Sequence, residues 1–412
     1  MSTSDHRVVD HRRLMKKVEH FVAAVEEKED LAASIHGAAN AILLAFREEL
    51  GITGGRLYHR EGKDYILQAT FPDAKPVTGV RIPRSYRPIE LVLEEGTLYM
   101  TLDDPGVDRD LETMLGVQQF AVIELADEEY LIAFDVIPGT DRESVLFSLG
   151  ILRHVINQKI HAERVAGMFA EARKIQASIL PKRPPRQGNY ELAARSVPVE
   201  TVGGDFYDFI QLTEKSLGIA IADVSGHGLP AALQVRDIYT GLRMGMARDF
   251  KIVRTVERLN GIIHESTLTS RFVSMFYGEL EQKGLFIYVN AGHPPPFRLR
   301  ARDGGVDFME AGGPVLGPLP DITYERGFVT MEPGDVIVLY TDGIVETQGQ
   351  DHEEAPVEEF GVERLIEAVR AARHRPAGEI VAAVFEAVEL FAAGREVADD
   401  RTVVVVRYPP TV

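Results

Sequence analysis

The 412-residue chain contains no cysteine and no tryptophan. Without cysteine there is no disulfide framework, no thiolate metal site and no thiol-linked chromophore, and a reducing compartment is the simple expectation. No run of about eighteen apolar residues marks a membrane span, and the opening MSTSDHRVVDHRRLMKK lacks the apolar core of a signal peptide. A cytoplasmic protein without membrane contact is therefore expected. Basic residues are in deficit as well: 45 Lys and Arg against 63 Asp and Glu leave a net charge of −18, which argues against nucleic acid as a partner. Also absent are a G-x-S-x-G nucleophile elbow and a G-x-x-x-x-G-K-[ST] phosphate loop.

What remains is ordinary globular composition, 45% hydrophobic and 26% charged, with length for two or three domains. Leu14, Val18, Phe21, Val22 and Val25 recur at helical spacing, as do Leu31, Ile35, Ile42, Leu43 and Phe46, so two amphipathic helices open the chain. RLYHR, DYILQATF, PVTGVRIP and TLYMTLD read as strands, RPIELVLEEG as a helix closed by Gly96, and QQFAVIEL with EEYLIAFDV as a hairpin across Ala126-Asp127. This order of elements resembles a GAF domain, a sensing fold, so residues 1–158 are expected to form a GAF-like sensor domain with an N-terminal helix. His59, Arg60, Glu61 and Asp64 cluster at a turn and read as a solvated face.

From Arg142 to Leu180 there is no proline. Val145, Leu149, Leu152 and Ile156 step by fours and threes, and so do Val165, Met168, Ala172, Ile175 and Ile179. Two coiled-coil seams with a phase break near Ile160 make residues 142–180 a connector helix and predict a homodimer through it. The proline-rich PKRPPRQ ends the helix, and residues 181–412 form the remaining domain.

That second half repeats one grammar: a carboxylate beside glycine at the end of an apolar strand. Asp205 and Asp208 follow Gly203 and Gly204; Asp223 ends SLGIAIAD; Asp342 precedes Gly343 after VIVLYT; Asp399 and Asp400 precede TVVVV. Each alone reads as a turn or cap. Together they make a ligand set of oxygens alone, suited to hard cations, Mg²⁺ or Mn²⁺. Converging carboxylates repel one another, and two divalent ions remove that cost. A water bridging two such ions becomes hydroxide near neutral pH, so phosphoester hydrolysis is the expected reaction.

VGGDFYD, ADVSGHG, NAGHPPP, LYTDGIVE and DDRTVVVV, in that order, resemble the bacterial SpoIIE/RsbU-type serine/threonine phosphatases of the PPM superfamily over about residues 170 to 408. The resemblance implies an α+β fold overall, with a PPM α-β-β-α sandwich in the C-terminal half and a dinuclear Mn²⁺ or Mg²⁺ site at one end of it. It makes Asp223 the bridging ligand, with the carbonyl of Val224 completing the second ion, and assigns Asp342 and Asp399 to the first ion. Asp205 would contribute directly or through water, while Asp208 and Asp400 would support the geometry. It implies a phosphorylated protein substrate, an anti-sigma-factor antagonist, and regulation through the sensor and connector. The first helix after Asp223 would shift on activation.

Two departures stand out. The eukaryotic branch carries a histidine two residues after the bridging aspartate, where this chain has Ser225, with His227 two further on. No arginine is evident for clamping a phosphate. His293 reads as a structural residue of a proline-rich turn, and Asp351, Glu353 and Glu354 as solvated charges of a flap. The rival readings are a dinuclear phosphoesterase for small molecules and a non-catalytic scaffold.

Overall fold

A computed structural model describes residues 31–48, 50–72, 79–226, 228–246, 251–266, 272–349 and 358–410. The expected helix around Leu14–Val25, His227 and the flap acids Asp351, Glu353 and Glu354 lie outside those residues. The chain divides into two units, Met1–Ala166 and Gly167–Val412.

In the first unit the elements run α1 (Leu31–Phe46), β1 (Ile52–Glu61), β2 (Asp64–Phe71), β3 (Arg81–Pro83), α2 (Arg87–Glu95), β4 (Thr97–Thr101), α3 (Arg109–Met114), β5 (Gln119–Leu125), β6 (Tyr130–Val136) and α4 (Arg142–Ile179). The strands form an antiparallel sheet in the order β3-β2-β1-β6-β5-β4. Strand alternation gives it two apolar faces. On β6, Tyr130, Ile132 and Phe134 meet Ile35, Ile42 and Phe46 of α1 and the start of α4, while Leu131 and Ala133 join Ile89 and Val92 of α2. Gly96 closes α2 with φ +80°, its N–H bonding the Val92 carbonyl at 2.7 Å. The β5–β6 turn sets Ala126, Asp127 and Glu128 at positive φ. Helix α3 escaped the sequence reading, although Asp108 caps it, accepting from the amides of Asp110 and Leu111. The charged cluster is an ion-paired edge, with Arg60 on Glu128 at 3.1 Å and His59 at 3.6 Å from Glu129.

Helix α4 is continuous over 38 residues, but its two apolar stripes have different fates. Val145, Leu149, Leu152 and Ile156 are buried in the first unit's own core, as is Ile160. Arg153 pairs with the buried Glu124, and Asn157 accepts the Ala126 amide at 2.8 Å. The first of the two expected dimer seams is thus filled by its own sheet. Heptad-like spacing serves a helix lying on a sheet as well as it serves a coiled coil. Met168 and Ile175, on the second stripe, are 60% and 53% exposed.

The second unit continues with β7 (Glu191–Val197), β8 (Asp205–Thr213), β9 (Ser216–Val224), α5 (Leu229–Met246), α6 (Ile252–Glu265), β10 (Val273–Glu281), β11 (Leu285–Ala291), β12 (Phe297–Leu299), β13 (Val306–Phe308), β14 (Gly312–Gly313), β15 (Gly327–Thr330), β16 (Val336–Tyr340), α7 (Asp342–Val345), α8 (Gly361–Ala372), α9 (Ala377–Ala392) and β17 (Arg401–Arg407). One sheet runs β14-β11-β10-β9-β8, with β15 on β11; the other runs β13-β12-β16-β17-β7. Between them Phe209, Ile219, Ile221 and Phe286 interleave with Ile337, Leu339, Val404 and Val406. Outside the first sheet lie α5 and α6, and outside the second α8 and α9. That is the expected α-β-β-α sandwich. The buried stripes of α5 and α6 are Val235, Ile238 and Leu242, and Val256, Leu259 and Ile263. Leu233 and Ile262 of the same helices are 47% and 43% exposed.

Candidate metal centre

The sandwich brings the acidic strand ends together. Asp205 opens β8 and Asp223 lies near the end of β9, and the two are direct antiparallel partners. From the other sheet, β16 ends at Tyr340, one residue before Thr341 and two before Asp342, while Asp399 and Asp400 lead into β17, which pairs with β16.

Asp205 is 4% exposed. Its Oδ2 accepts from the hydroxyls of Thr341 at 2.9 Å and Thr402 at 2.6 Å, both flanking the second sheet's acids. Its Oδ1 is buried without a hydrogen-bond partner among the described residues. Burial, followed by the Asp223 charge, raises the Asp205 carboxyl well above its ordinary range. Burial also pushes Asp223 up to about 7, helped by the charges of Asp342, Asp399 and Asp400. Asp342 is raised by burial as well.

Asp400 has a different task. Its Oδ1 accepts from the Val199 amide at 2.7 Å and its Oδ2 from the Gly204 amide at 2.6 Å, so it staples the 199–204 loop to β17. A Cβ on Gly203 would collide with this carboxylate, and one on Gly204 would lie 2.8 Å from the Val224 carbonyl oxygen. The glycines are what let the loop pass between Asp400 and Val224. From the other side the loop is held by α4: the Gln176 amide donates to the Gly203 carbonyl at 2.6 Å and accepts its N–H at 3.2 Å.

Asp208 does not join the cluster. Three residues along a strand reverse the face, so Asp205, Tyr207 and Phe209 look between the sheets, whereas Phe206 packs on the α5 side and Asp208 pairs with Arg243 of α5 at 2.8 Å.

Among the described residues, no three His, Asp or Glu side chains stand close enough to enclose an ion. The groups nevertheless fit a hard divalent cation: an all-oxygen donor set, a buried carboxylate oxygen on Asp205 without a partner among the described residues, and carboxylates held above their ordinary ionisation range first by burial and then by one another.

Sequence reasoning missed Thr341, Thr402, Gln176 and Glu346, the last adding to the charge around Asp223. The two threonines sit inside quoted motifs and could have been found there; Gln176 carried no signal. It also found no arginine near the site. Arg395 and Arg401 line a cavity of about 190 Å³ with Glu346 and Asp399, and Arg401 Nε is buried without a partner among the described residues.

His293 is buried. Ser274 Oγ lies 2.9 Å from its Nδ1, and the Asn290 side chain bonds both its amide and its carbonyl. Burial lowers its pKa to about 3 from an ordinary 6.5. Below about pH 6.5 the unfolded chain therefore takes up a proton that the folded chain refuses, and stability falls with falling pH. Replacing His293 by Gln should flatten the unfolding free energy between about pH 4 and 6 by about 1 kcal/mol per pH unit, measured by denaturant titration.

Residues 213–409 match the family model described as Stage II sporulation protein E (SpoIIE). The phosphoserine phosphatase RsbU of Bacillus subtilis is 33% identical over 181 residues, 44% of this chain and 54% of that protein. The phosphoserine phosphatase RsbP of Bacillus subtilis is 25% identical over 170 residues, 38% of this chain and 42% of that protein. The chain thus spans about half the length of these curated relatives. In fold, the SiaA-PP2C domain of Pseudomonas aeruginosa superposes with a TM-score of 0.53 at 19% identity, over 60% of this chain and 98% of that one. Residues 213–409 are therefore SpoIIE-like in sequence, and the C-terminal half has the fold of a PP2C domain.

Proposed function

We propose that the chain is a divalent-cation-dependent protein serine/threonine phosphatase whose substrate is a phosphoserine or phosphothreonine on an anti-sigma-factor antagonist. The observation that carries this reading is the pairing of Asp205 with Asp223 on adjacent strands, with the charges of Asp342 and Asp399 acting on Asp223 and one Asp205 oxygen buried without a partner among the described residues. Similarity to two phosphoserine phosphatases supports the substrate class. Two Mn²⁺ or Mg²⁺ ions, when bound, supply positive charge against the phosphoryl oxygens and acidify the attacking water.

The chain's own residues do the rest. Asp223 would hold both ions and the Val224 carbonyl the second, Asp342 and Asp399 would hold the first, and Asp205 would contribute directly or through water. Thr341 and Thr402 fix the Asp205 rotamer, and Asp400 fixes the glycine loop. The N-terminal unit is a GAF-like sensor, and the exposed stripe of α4 between Val165 and Ile179 is the dimer seam. With Mn²⁺ the full chain is expected to release phosphate from a phosphoserine protein at least about 10²-fold faster than after chelation with EDTA. Hydrolysis of small phosphoesters alone, with phosphoproteins untouched, would transfer the reading to a small-molecule phosphoesterase; no metal-dependent hydrolysis of either would end it.

A further inference from the structure

The face of the N-terminal sheet turned toward α2 is apolar, built from Tyr58, Ile89, Val92, Phe120, Val122 and Leu131. One side chain breaks the pattern. Arg56 stands two residues before Tyr58 on β1, so strand alternation sends it to the same face, where it is 4% exposed. Its Nη2 donates to Asp135 Oδ1 at 2.8 Å, but Nε and Nη1 are buried with no partner among the described residues. Buried donors left unpaired are costly and correspondingly rare.

Arg56 also lines a cavity of about 40 Å³, with Val92, Phe120, Val122 and Ala133 among its walls. A water needs roughly 10–15 Å³ by this measure, so there is room for about three or four non-hydrogen atoms. The charged rim is compact. Glu112, 5% exposed, also lines the cavity and accepts from the Tyr86 hydroxyl at 3.1 Å. Burial raises its carboxyl above the usual range, against the opposing charge of Arg56.

We infer that this cavity binds a monocarboxylate of acetate size, its carboxylate accepting from Arg56 Nε and Nη1 and its methyl group resting against Val92, Phe120 and Val122. The unpaired groups are donors, so the ligand must bring acceptors, and a carboxylate makes the stronger, charge-assisted bonds. The remaining walls are apolar, which favours an amphiphile over phosphate. This site is independent of the reaction proposed for the C-terminal half.

Ligand-observed saturation-transfer NMR on the full chain tests it with acetate and, as the neutral match, ethanol. Acetate should bind saturably with a Kd of about 1 mM, and ethanol at least about tenfold more weakly. Arg56→Met puts an unbranched apolar chain in the same layer but removes the ion pair of Asp135; where the circular dichroism spectrum is unchanged it should weaken acetate more than tenfold. Ala133→Val fills the cavity without touching the charge and should do the same, which keeps the test decisive if Arg56→Met fails to fold. No saturable binding of acetate up to about 50 mM, equal binding of ethanol, or undiminished acetate binding in the folded variants would overturn the assignment and leave Arg56 solvated by trapped water.

Discussion

Asp223→Asn and Asp342→Asn are each expected to lower Mn²⁺-dependent phosphate release by at least about 10³-fold, a loss of about 4 kcal/mol of transition-state stabilisation. Each removes one charge from the set that would hold the ions, without altering side-chain size. The same substitutions should stabilise the metal-free chain. Asp223 is held up to about 7 by burial and then by Asp342, Asp399 and Asp400, so an uncharged amide relieves a desolvated carboxylate and its repulsion at once. A gain of about 1–2 kcal/mol would lift the metal-free Tm by a few degrees. Added Mn²⁺ should raise the wild-type Tm and leave the Asp223→Asn Tm where it was. Loss of activity with gained stability separates a functional cluster from a structural one; full activity in both variants would falsify the dinuclear reading.

The second large effect is steric. A Cβ on Gly343 would overlap the carbonyl oxygen of Asp400 and lie 3.3 Å from the Asp399 Cβ. The backbone of β17 cannot retreat, since it is paired on both sides, by β16 and β7. Gly343→Ala should therefore cost about 3 kcal/mol or more and displace Asp342 from Asp399, removing activity even in the fraction that folds. The matched control is Gly167→Ala. Nothing lies within 4 Å of a Cβ there, and in a helix interior the change should stabilise by about 1 kcal/mol. Denaturant unfolding of the pair reads both signs in one experiment.

The acids of the site were legible because an apolar strand that ends in Asp-Gly or Asp-Val announces where its carboxylate emerges. Their meeting was not, because it is made by pairing between distant segments: Thr402 reaches Asp205 across 197 positions, and no local pattern carries that. Asp208 shows a different miss, since its three-residue offset from Asp205 already sets it on the opposite face of a strand. Connector periodicity was read correctly as helix and wrongly, in its first half, as a seam: the pattern specifies which residues are covered and is silent on what covers them. Arg56 was invisible for the converse reason. One arginine within RLYHR looks like the solvated side of a strand until both faces of the sheet prove to be covered.

The amide of Gln176 on both polar atoms of Gly203 settles where the catalytic half can be cut. A fragment beginning after the proline-rich stretch at Pro181 would leave a buried N–H and a buried carbonyl bare in the loop that leads into Asp205, at a penalty of about 1–3 kcal/mol each. Such a fragment would understate the intrinsic activity of the sandwich and invite the conclusion that the N-terminal half is an activator. Cutting ahead of Gln176 keeps the loop whole, so at least the last turn of α4, from Gln176 to Ile179, belongs in any excised C-terminal fragment.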